Sequence, residues 1–490
     1  MPTTTITAPG RLFIAGEWRE SANGGRMDVI APATGEKLTD VAKATLADVD
    51  AAVAAARSAF DSGVWSGLSG RERSRILLKA HELMRDRADE LALVESQDVG
   101  KPISLAKAVD VEHAALQYEY AASLGQHLDG SVRETSGNTH AYVRCEPLGV
   151  VAAITPFNFP LILSSTKIAT ALIAGNTVVH KPASDTPLSA LLMAEILRDA
   201  GVPDGVFNVI TGSGAELGDH LVTHPGVSKV AFTGSTEVGA HVAELAGKAL
   251  RPVTAELGGN AANIVFADAN LDQAVGAIIS AFVFNAGQFC MAGPRLLVER
   301  PLHDVVLNIL KDAVPGVPFG DITNPDTVIG PLASRTQLEK VRTLVAEARD
   351  AGARVVTGGD SVDLNGGFYF QPTVLANVDN DNPAVAQEVF GPVLTVQPFD
   401  TEDEAIQLAN STPFGLASGI QTTNLAKAHR VAAQLDAGIT WVNGWAILDP
   451  SVPFGGVKQS GWGREYGPEA LASYQRSKSI VINLDEGAGR

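Results

Sequence analysis

From Leu46 onward apolar residues recur at helical spacing, at Val49, Val53, Ala56 and Phe60, and Thr45 stands where an N-cap belongs. A second helical pattern runs over 71–97 and ends at Gly100 and Pro102. From residue 149 the pattern changes. Short apolar runs at 149–154, 176–180, 206–210 and 229–232 alternate with helical stretches such as 187–200, which Gly201 stops. A second block of the same kind spans 261–444, with runs at 263–266, 354–356 and 393–396 and helices predicted over 337–350 and 401–410. This alternation predicts two α/β units, each a parallel sheet covered by helices. Two stretches fit neither block, 126–147 and the tail from Ala472, and both predict extended ribbon.

Composition narrows the partners. At 490 residues the chain exceeds one simple core, and with 45% hydrophobic and 19% charged residues it is ordinary globular protein. A net charge of −18 argues against a nucleic-acid partner and against anionic membrane. No apolar run reaches the roughly 18 residues of a membrane span. Cys145 and Cys290 are the two cysteines, too few for a disulfide framework. Met1-Pro2-Thr3-Thr4-Thr5 does not open a secretory signal, and a cytoplasmic location is expected.

Three motifs carry chemistry. Cys290 lies in Asn285-Ala286-Gly287-Gln288-Phe289-Cys290-Met291-Ala292-Gly293, among small residues that let backbone approach a substrate. Glu256 opens Glu256-Leu257-Gly258-Gly259, and Asn158 lies in Thr155-Pro156-Phe157-Asn158-Phe159-Pro160. A thiol, a carboxylate and an amide supply a nucleophile, an activator of water and an oxyanion donor. Each has an ordinary counterpart: a buried Cys as a small hydrophobe, a surface Glu, an Asn bonded to its own turn. Their joint occurrence is the specific signal. Strand-to-helix glycine turns follow two apolar runs, at Gly212-Ser213-Gly214 and at Phe232-Thr233-Gly234-Ser235. Both suit a phosphate at a helix N-terminus, and Ser235 equally suits a helix cap.

Together these motifs resemble the NAD(P)-dependent aldehyde dehydrogenase superfamily over nearly the whole chain. The resemblance implies two doubly wound α/β domains plus a β-ribbon oligomerisation arm. The cofactor-binding domain would span 1–124 and 149–258, the catalytic domain 259–459 and the arm 125–148 and 470–490, in a homodimer or homotetramer. It implies Cys290 as nucleophile, Asn158 with the Cys290 amide as oxyanion donors, Glu256 as the base, and Lys167 and Glu465 as a proton relay behind it. Thr155, Pro156, Phe157, Gly214, Phe232, Gly234 and Leu257 would line the cofactor cleft, with Ser235 at the pyrophosphate and Lys181 at the adenosine ribose. Glu388 would hold the nicotinamide ribose and Phe390 would lie against the ring. Many members carry Glu three residues after that Lys, where it repels a 2′-phosphate. This chain has Ser184, so NAD or NADP is expected, with Asp185 an opposing charge. No metal is implied.

The same resemblance places Leu163, Thr166, Phe289, Met291, Trp445, Leu448 and Phe454 along the aldehyde tunnel, beside Phe157. The lining is mostly apolar or aromatic, and the helix after Asn158 carries no Arg for a distal carboxylate. Thr166 stands where many members have Trp, and a wider tunnel is expected. Apolar aldehydes of medium size, aliphatic or aryl, are favoured. Betaine-aldehyde and semialdehyde oxidation are the nearer alternatives. A CoA-acylating relative generally lacks the base that Glu256 supplies, and an inactive binding protein would not need all three groups.

Overall fold

The computed structural model describes residues 9–485. The reading of the first five residues and the last five of the expected arm lie outside them. The fold is mixed α/β. An eight-stranded sheet has five parallel strands at its centre, in the order Phe207–Val209, Thr177–Lys181, Val150–Ile154, Lys229–Thr233 and Val253–Glu256. The chain leaves Val150–Ile154 in one direction and returns to its other side at Lys229–Thr233. That reversal opens a crevice at the carboxyl ends of the two strands, where ligands of doubly wound sheets bind.

A seven-stranded sheet, built from Ala262–Val265, Arg295–Glu299, Arg354–Thr357, Thr373–Ala376, Val393–Phe399, Ala417–Gln421 and Ile439–Val442, carries the second block. The central strands of both sheets are buried along their length, which explains why they read as continuous apolar runs. A separate ribbon pairs Gln475–Asn483 with Thr139–Pro147, and that strand with Ser131–Arg133. The stretches that broke the α/β rhythm are therefore strands that join neither large sheet.

The predicted helix over 71–97 is two helices, Gly70–Asp86 and Ala88–Val99. They meet at Arg87, whose backbone leaves the helical region at φ −101°, ψ 21° and whose guanidinium reaches Glu90 at 2.7 Å and Glu195 at 3.0 Å. The apolar spacing runs through the break because both helices bury the same side. Sequence reasoning also missed the strand Gly461–Trp462. It pairs antiparallel with Ala255 and Glu256 at the sheet edge and turns the chain so that Glu465 comes back beneath that edge. Among the described residues no helix is long and apolar enough to cross a membrane.

Candidate active site

The crevice holds a cavity of about 320 Å³. Its walls bring together Thr155, Pro156, Phe157 and Asn158 from the loop after one strand, Phe232, Gly234 and Ser235 from the next, and Leu163, Leu257, Cys290, Glu388 and Phe390. Val238, Gln337 and Lys340 also line it and carried no sequence signal. Ser235 caps the helix Thr236–Lys248 by accepting the Val238 N–H at 3.3 Å. The free amides of that first turn are a phosphate-binding device.

On the far wall Gly258 leaves room for the Glu388 carboxylate: a Cβ there would come within 2.6 Å of Glu388 Oε2 and displace it. The Gly259 amide donates to Glu388 Oε1 at 2.9 Å, and burial lifts this carboxyl to about 7. Phe157 and Phe390 meet edge to face at 5.8 Å between centroids. A helix N-terminus, a flat glycine floor, a carboxylate and an aromatic edge fit a dinucleotide.

Lys181, Ser184 and Gly214 gather at the neighbouring strand end, outside that cavity wall. Lys181 is buried, donates to the Pro182 carbonyl at 2.9 Å, and is pushed down to about 8 by desolvation. A Cβ on Gly214 would lie 3.9 Å from its Nζ. The Ser184 hydroxyl donates to the Gly212 carbonyl at 3.1 Å. Burial raises the Asp185 carboxyl, against the pull of Lys181.

Cys290 follows a tight bend in which Asn285, Ala286 and Gly287 all take positive φ, at 49°, 53° and 73°. Two glycines permit the bend. A Cβ at 287 would strike the Gly391 carbonyl oxygen at 2.0 Å, and one at 259 would strike the Cys290 carbonyl oxygen at 2.2 Å. Asn158 is buried and donates one amide proton to the Gln288 carbonyl at 3.0 Å, while Asn285 donates back to the Asn158 carbonyl at 2.9 Å. The oxyanion candidate and the thiol loop are thus tied together. Desolvation first, then the charges of Glu388 and Glu256, push the half-buried thiol up to about 12, against the pull of the Met291 and Cys290 amides.

Glu256 ends the strand Val253–Glu256 rather than sitting in the turn its motif suggested. It is buried, and neither carboxylate oxygen has a hydrogen-bond partner. Burial, and then the Glu465 charge, hold it well above the usual carboxylate range against Lys167 and Arg464. Lys167, fully buried on the helix Pro160–Ile173, pairs with Glu465 and donates to Thr233 Oγ1 at 2.5 Å.

Leu163, Phe289, Met291, Trp445, Leu448 and Phe454 share one apolar cluster with Cys290. Trp445 donates to the Met291 carbonyl at 3.1 Å, and its ring lies where a Cβ on Gly293 or Gly419 would be. Thr166 is buried, and its hydroxyl donates to the Ile162 carbonyl at 2.9 Å; Tyr466 belongs to the same apolar cluster as Cys290. Tyr466, Phe159 and Trp441 were missed; Tyr466 stands one residue past the motif that ends at Glu465.

One further group has metal-ligand chemistry among the described residues, Asp50 with His220 and His224. The Gly226 amide donates to His224 Nδ1 at 3.0 Å, which leaves the proton of a neutral ring on Nε2, facing Asp50. With His220 Nε2 2.5 Å from Asp50 Oδ1, this is a hydrogen-bonded cluster rather than an open ligand set.

The fold and crevice define a dinucleotide-dependent enzyme class with a cysteine at its centre. The profile of the Aldehyde dehydrogenase family matches residues 18–480, and the chain belongs to that family. Over 483 residues it is 42% identical to DhaS of Bacillus subtilis (strain 168), an aldehyde dehydrogenase by assignment only, covering 99% of this chain and 97% of that one. It matches the P. syringae AldA indole-3-acetaldehyde dehydrogenase, solved as a mutant with NAD+ and IAA, at a TM-score of 0.96 and 41% identity over 98% of each chain. A betaine aldehyde dehydrogenase mutant from Staphylococcus aureus, solved with NAD+, matches at a TM-score of 0.97 and 37% identity, over 99% of this chain and 98% of that one. The chain is an aldehyde dehydrogenase.

Proposed function

We propose that the enzyme oxidises an apolar aldehyde of medium size, aliphatic or aryl, to the carboxylic acid with NAD or NADP. The observation that supports this most is that Cys290 and Asn158 line one cavity while the buried Glu256 carboxylate lies close enough for its charge to act on the thiol. The Cys290 thiolate adds to the aldehyde carbon, and the carbonyl electron pair moves onto oxygen. The second Asn158 amide proton and the Cys290 N–H hold that oxyanion; one such donor is worth about 10²–10³ in rate. The bound dinucleotide supplies the hydride acceptor that converts the adduct to a thioester. Glu256, once ionised, takes a proton from water as the water oxygen attacks the thioester carbon and Sγ leaves as the thiolate. Glu465 and Lys167 pass that proton onward.

Gly234 and Ser235 would hold the pyrophosphate, Lys181 and Ser184 the adenosine ribose, Glu388 the nicotinamide ribose, and Phe390 the ring. Thr155, Pro156, Phe157, Gly214, Phe232 and Leu257 complete the cleft. The buried cation of Lys181 and the Ser184 hydroxyl in place of a carboxylate favour acceptance of NADP beside NAD. The ribbon exposes Val132, Val481, Ile482 and Leu484 on a three-stranded sheet with open edges, which suits an arm that joins copies in a dimer or tetramer. A cytoplasmic location fits free thiols and a strongly acidic chain.

The test is reduction of NAD and of NADP with hexanal, benzaldehyde, succinic semialdehyde and betaine aldehyde, with and without CoA, beside Cys290→Ala. Hexanal and benzaldehyde should turn over fastest without CoA, and Cys290→Ala should abolish reduction. Dependence on CoA, or a mutant as active as the parent, refutes the mechanism; betaine aldehyde leading the panel refutes the substrate class.

A further inference from the structure

We propose that an apolar groove beside the aldehyde cluster holds the tail of the substrate, and that the enzyme takes aldehydes with long, unbranched alkyl chains. This rests on the aldehyde-oxidising reading above and deepens it.

The groove itself is the first observation. Its volume is about 840 Å³, against about 320 Å³ for the crevice at Cys290. Three segments wall it. Ala108 and Val109 come from the π-helical turn Ala106–Val111, Ile279 and Val283 from the helix Leu271–Val283, and Val317 and Val328 from beyond the helix Arg300–Ala313. Of its sixteen lining residues four have polar side chains, Ser104, Ser280, Asp312 and Thr327. A space of roughly 300–1,000 Å³ with mostly apolar walls and a few polar groups is the usual form of a small-molecule site. The π-helical turn points the same way, since such irregular turns frequently accompany functional sites.

Continuity with the thiol is the second. Val109 and Phe284 line the groove and also pack against the apolar cluster that Cys290 joins. The Phe284 ring stacks on Phe159 at 6.0 Å between centroids and 18° between planes, and lies 5.2 Å from the Phe289 ring. Phe159 follows Asn158 in the chain, and Phe289 precedes Cys290. Phe284 therefore stands between the groove and the two residues that adjoin the oxyanion donor and the nucleophile. A chain attached to a carbonyl at Cys290 runs over Phe289 and Phe284 and leaves the cluster along the groove.

The walls select the kind of tail. Among the described residues that line the groove Asp312 alone is charged, so a distal carboxylate meets no cation there and one repelling group. A quaternary ammonium tail calls for a cage of aromatic rings, and Phe284 is the one ring in the described lining. An alkyl chain needs only apolar surface to cover, and each methylene that leaves water adds to binding.

The experiment measures kcat/KM for hexanal, octanal, decanal and dodecanal in wild type, Gly276→Phe and Val328→Glu. A fully buried methylene is worth about fourfold in binding, and a groove open on one side covers about half of it, so each should add about twofold. Dodecanal should then exceed hexanal by about 60-fold in wild type. Gly276 is an exposed residue of the helix Leu271–Val283 that lines the groove, with nothing within 4 Å of an added Cβ, so Phe there obstructs the groove and leaves the fold intact. Val328, 42% exposed, puts a charge into the groove from a second wall when replaced by Glu. In both variants the dodecanal:hexanal ratio should fall toward one. Because the ratio is taken within each enzyme, a general loss of activity does not move it. A wild-type ratio near one overturns the proposal. So does a ratio that survives both substitutions, since the tail then rests elsewhere. If no member of the series is oxidised, the apolar-aldehyde reading falls and this one with it; if hexanal is oxidised while the series is flat, only this one falls.

Discussion

A single methyl group at residue 259 should disable this enzyme without unfolding it. A Cβ on Gly259 would sit 2.2 Å from the Cys290 carbonyl oxygen and 3.3 Å from Leu416 Cβ. Carbon and oxygen do not approach closer than about 3 Å without something giving way, so in Gly259→Ala roughly an ångström of displacement must be absorbed. The obstacle is backbone, and the backbone in question carries the nucleophile. The Gly259 amide also anchors Glu388 at 2.9 Å, so both sides of the crevice shift together. Overpacking of this kind costs about 1–3 kcal/mol of stability. A displacement of that size at reacting groups costs about 10² in rate, or about 2.7 kcal/mol in the barrier. We expect kcat/KM to fall at least that far, with slower alkylation of Cys290 by iodoacetamide and a melting temperature lowered by only a few degrees. Gly247→Ala is the control. It lies in the exposed helix Thr236–Lys248 with nothing within 4 Å of the added Cβ, and should be neutral or stabilising by about 0.5–1 kcal/mol. Near-normal kcat and thiol reactivity in Gly259→Ala would refute the argument that the 259 backbone holds the nucleophile in place.

Asn158→Ala should lower kcat by about 10²–10³ with a smaller change in KM, measured by steady-state reduction of the dinucleotide. The Glu256 carboxyl is held above its ordinary range, so it is protonated and idle as a base at low pH. Turnover should rise with pH through a value well above 4.5, and Glu256→Gln should flatten that limb while leaving a first-turnover burst in rapid mixing. Lys181 has its pKa lowered to about 8, so its cation is present below that value and lost above it. The NADP:NAD ratio of kcat/KM should therefore fall as pH rises through about 8, and Lys181→Met should remove the dependence. Lys101 is fully buried between Glu95 and Asp110, and Lys101→Met, which strands two carboxylates, should cost about 3–5 kcal/mol in a denaturant titration.

The central strands and most helices were legible because burial on both faces leaves uninterrupted apolar runs, as at Val150–Ile154 and Thr177–Lys181. The break at Arg87 was not, since an ion-paired arginine interrupts a helix without disturbing apolar spacing. The two-residue strand Gly461–Trp462 was too short to have a period. At the site, motif spacing brought Asn158, Cys290, Glu388 and Phe390 onto one cavity wall, because each sits at a strand end or glycine turn that faces the same crevice. Tyr466 was missed for a different reason: it joins the apolar cluster around Cys290 from far along the chain, and no local pattern reports which distant side chain packs there.

Two compartments meet at the thiol. The crevice presents a helix N-terminus, Glu388 and glycines between apolar walls, which suit a dinucleotide; the aromatic cluster presents hydrocarbon, which suits the body of an aldehyde. Cys290 and Leu163 belong to both. In the mechanism proposed above, a nucleophile at that junction would reach the aldehyde carbon from one compartment while the hydride acceptor lay in the other. Desolvation raises both Cys290 and Glu256 above their ordinary values, so it disfavours the charged forms the proposed mechanism calls on. Ionising either group there costs more than in water, and the buried Lys167 is the cation placed to offset it, next to the carboxylate of Glu465 rather than next to the thiol. In the proposed mechanism that placement would keep the proton path on the Glu256 side and leave the thiol to be activated by proton loss alone, so acylation and hydrolysis should respond to pH through different groups.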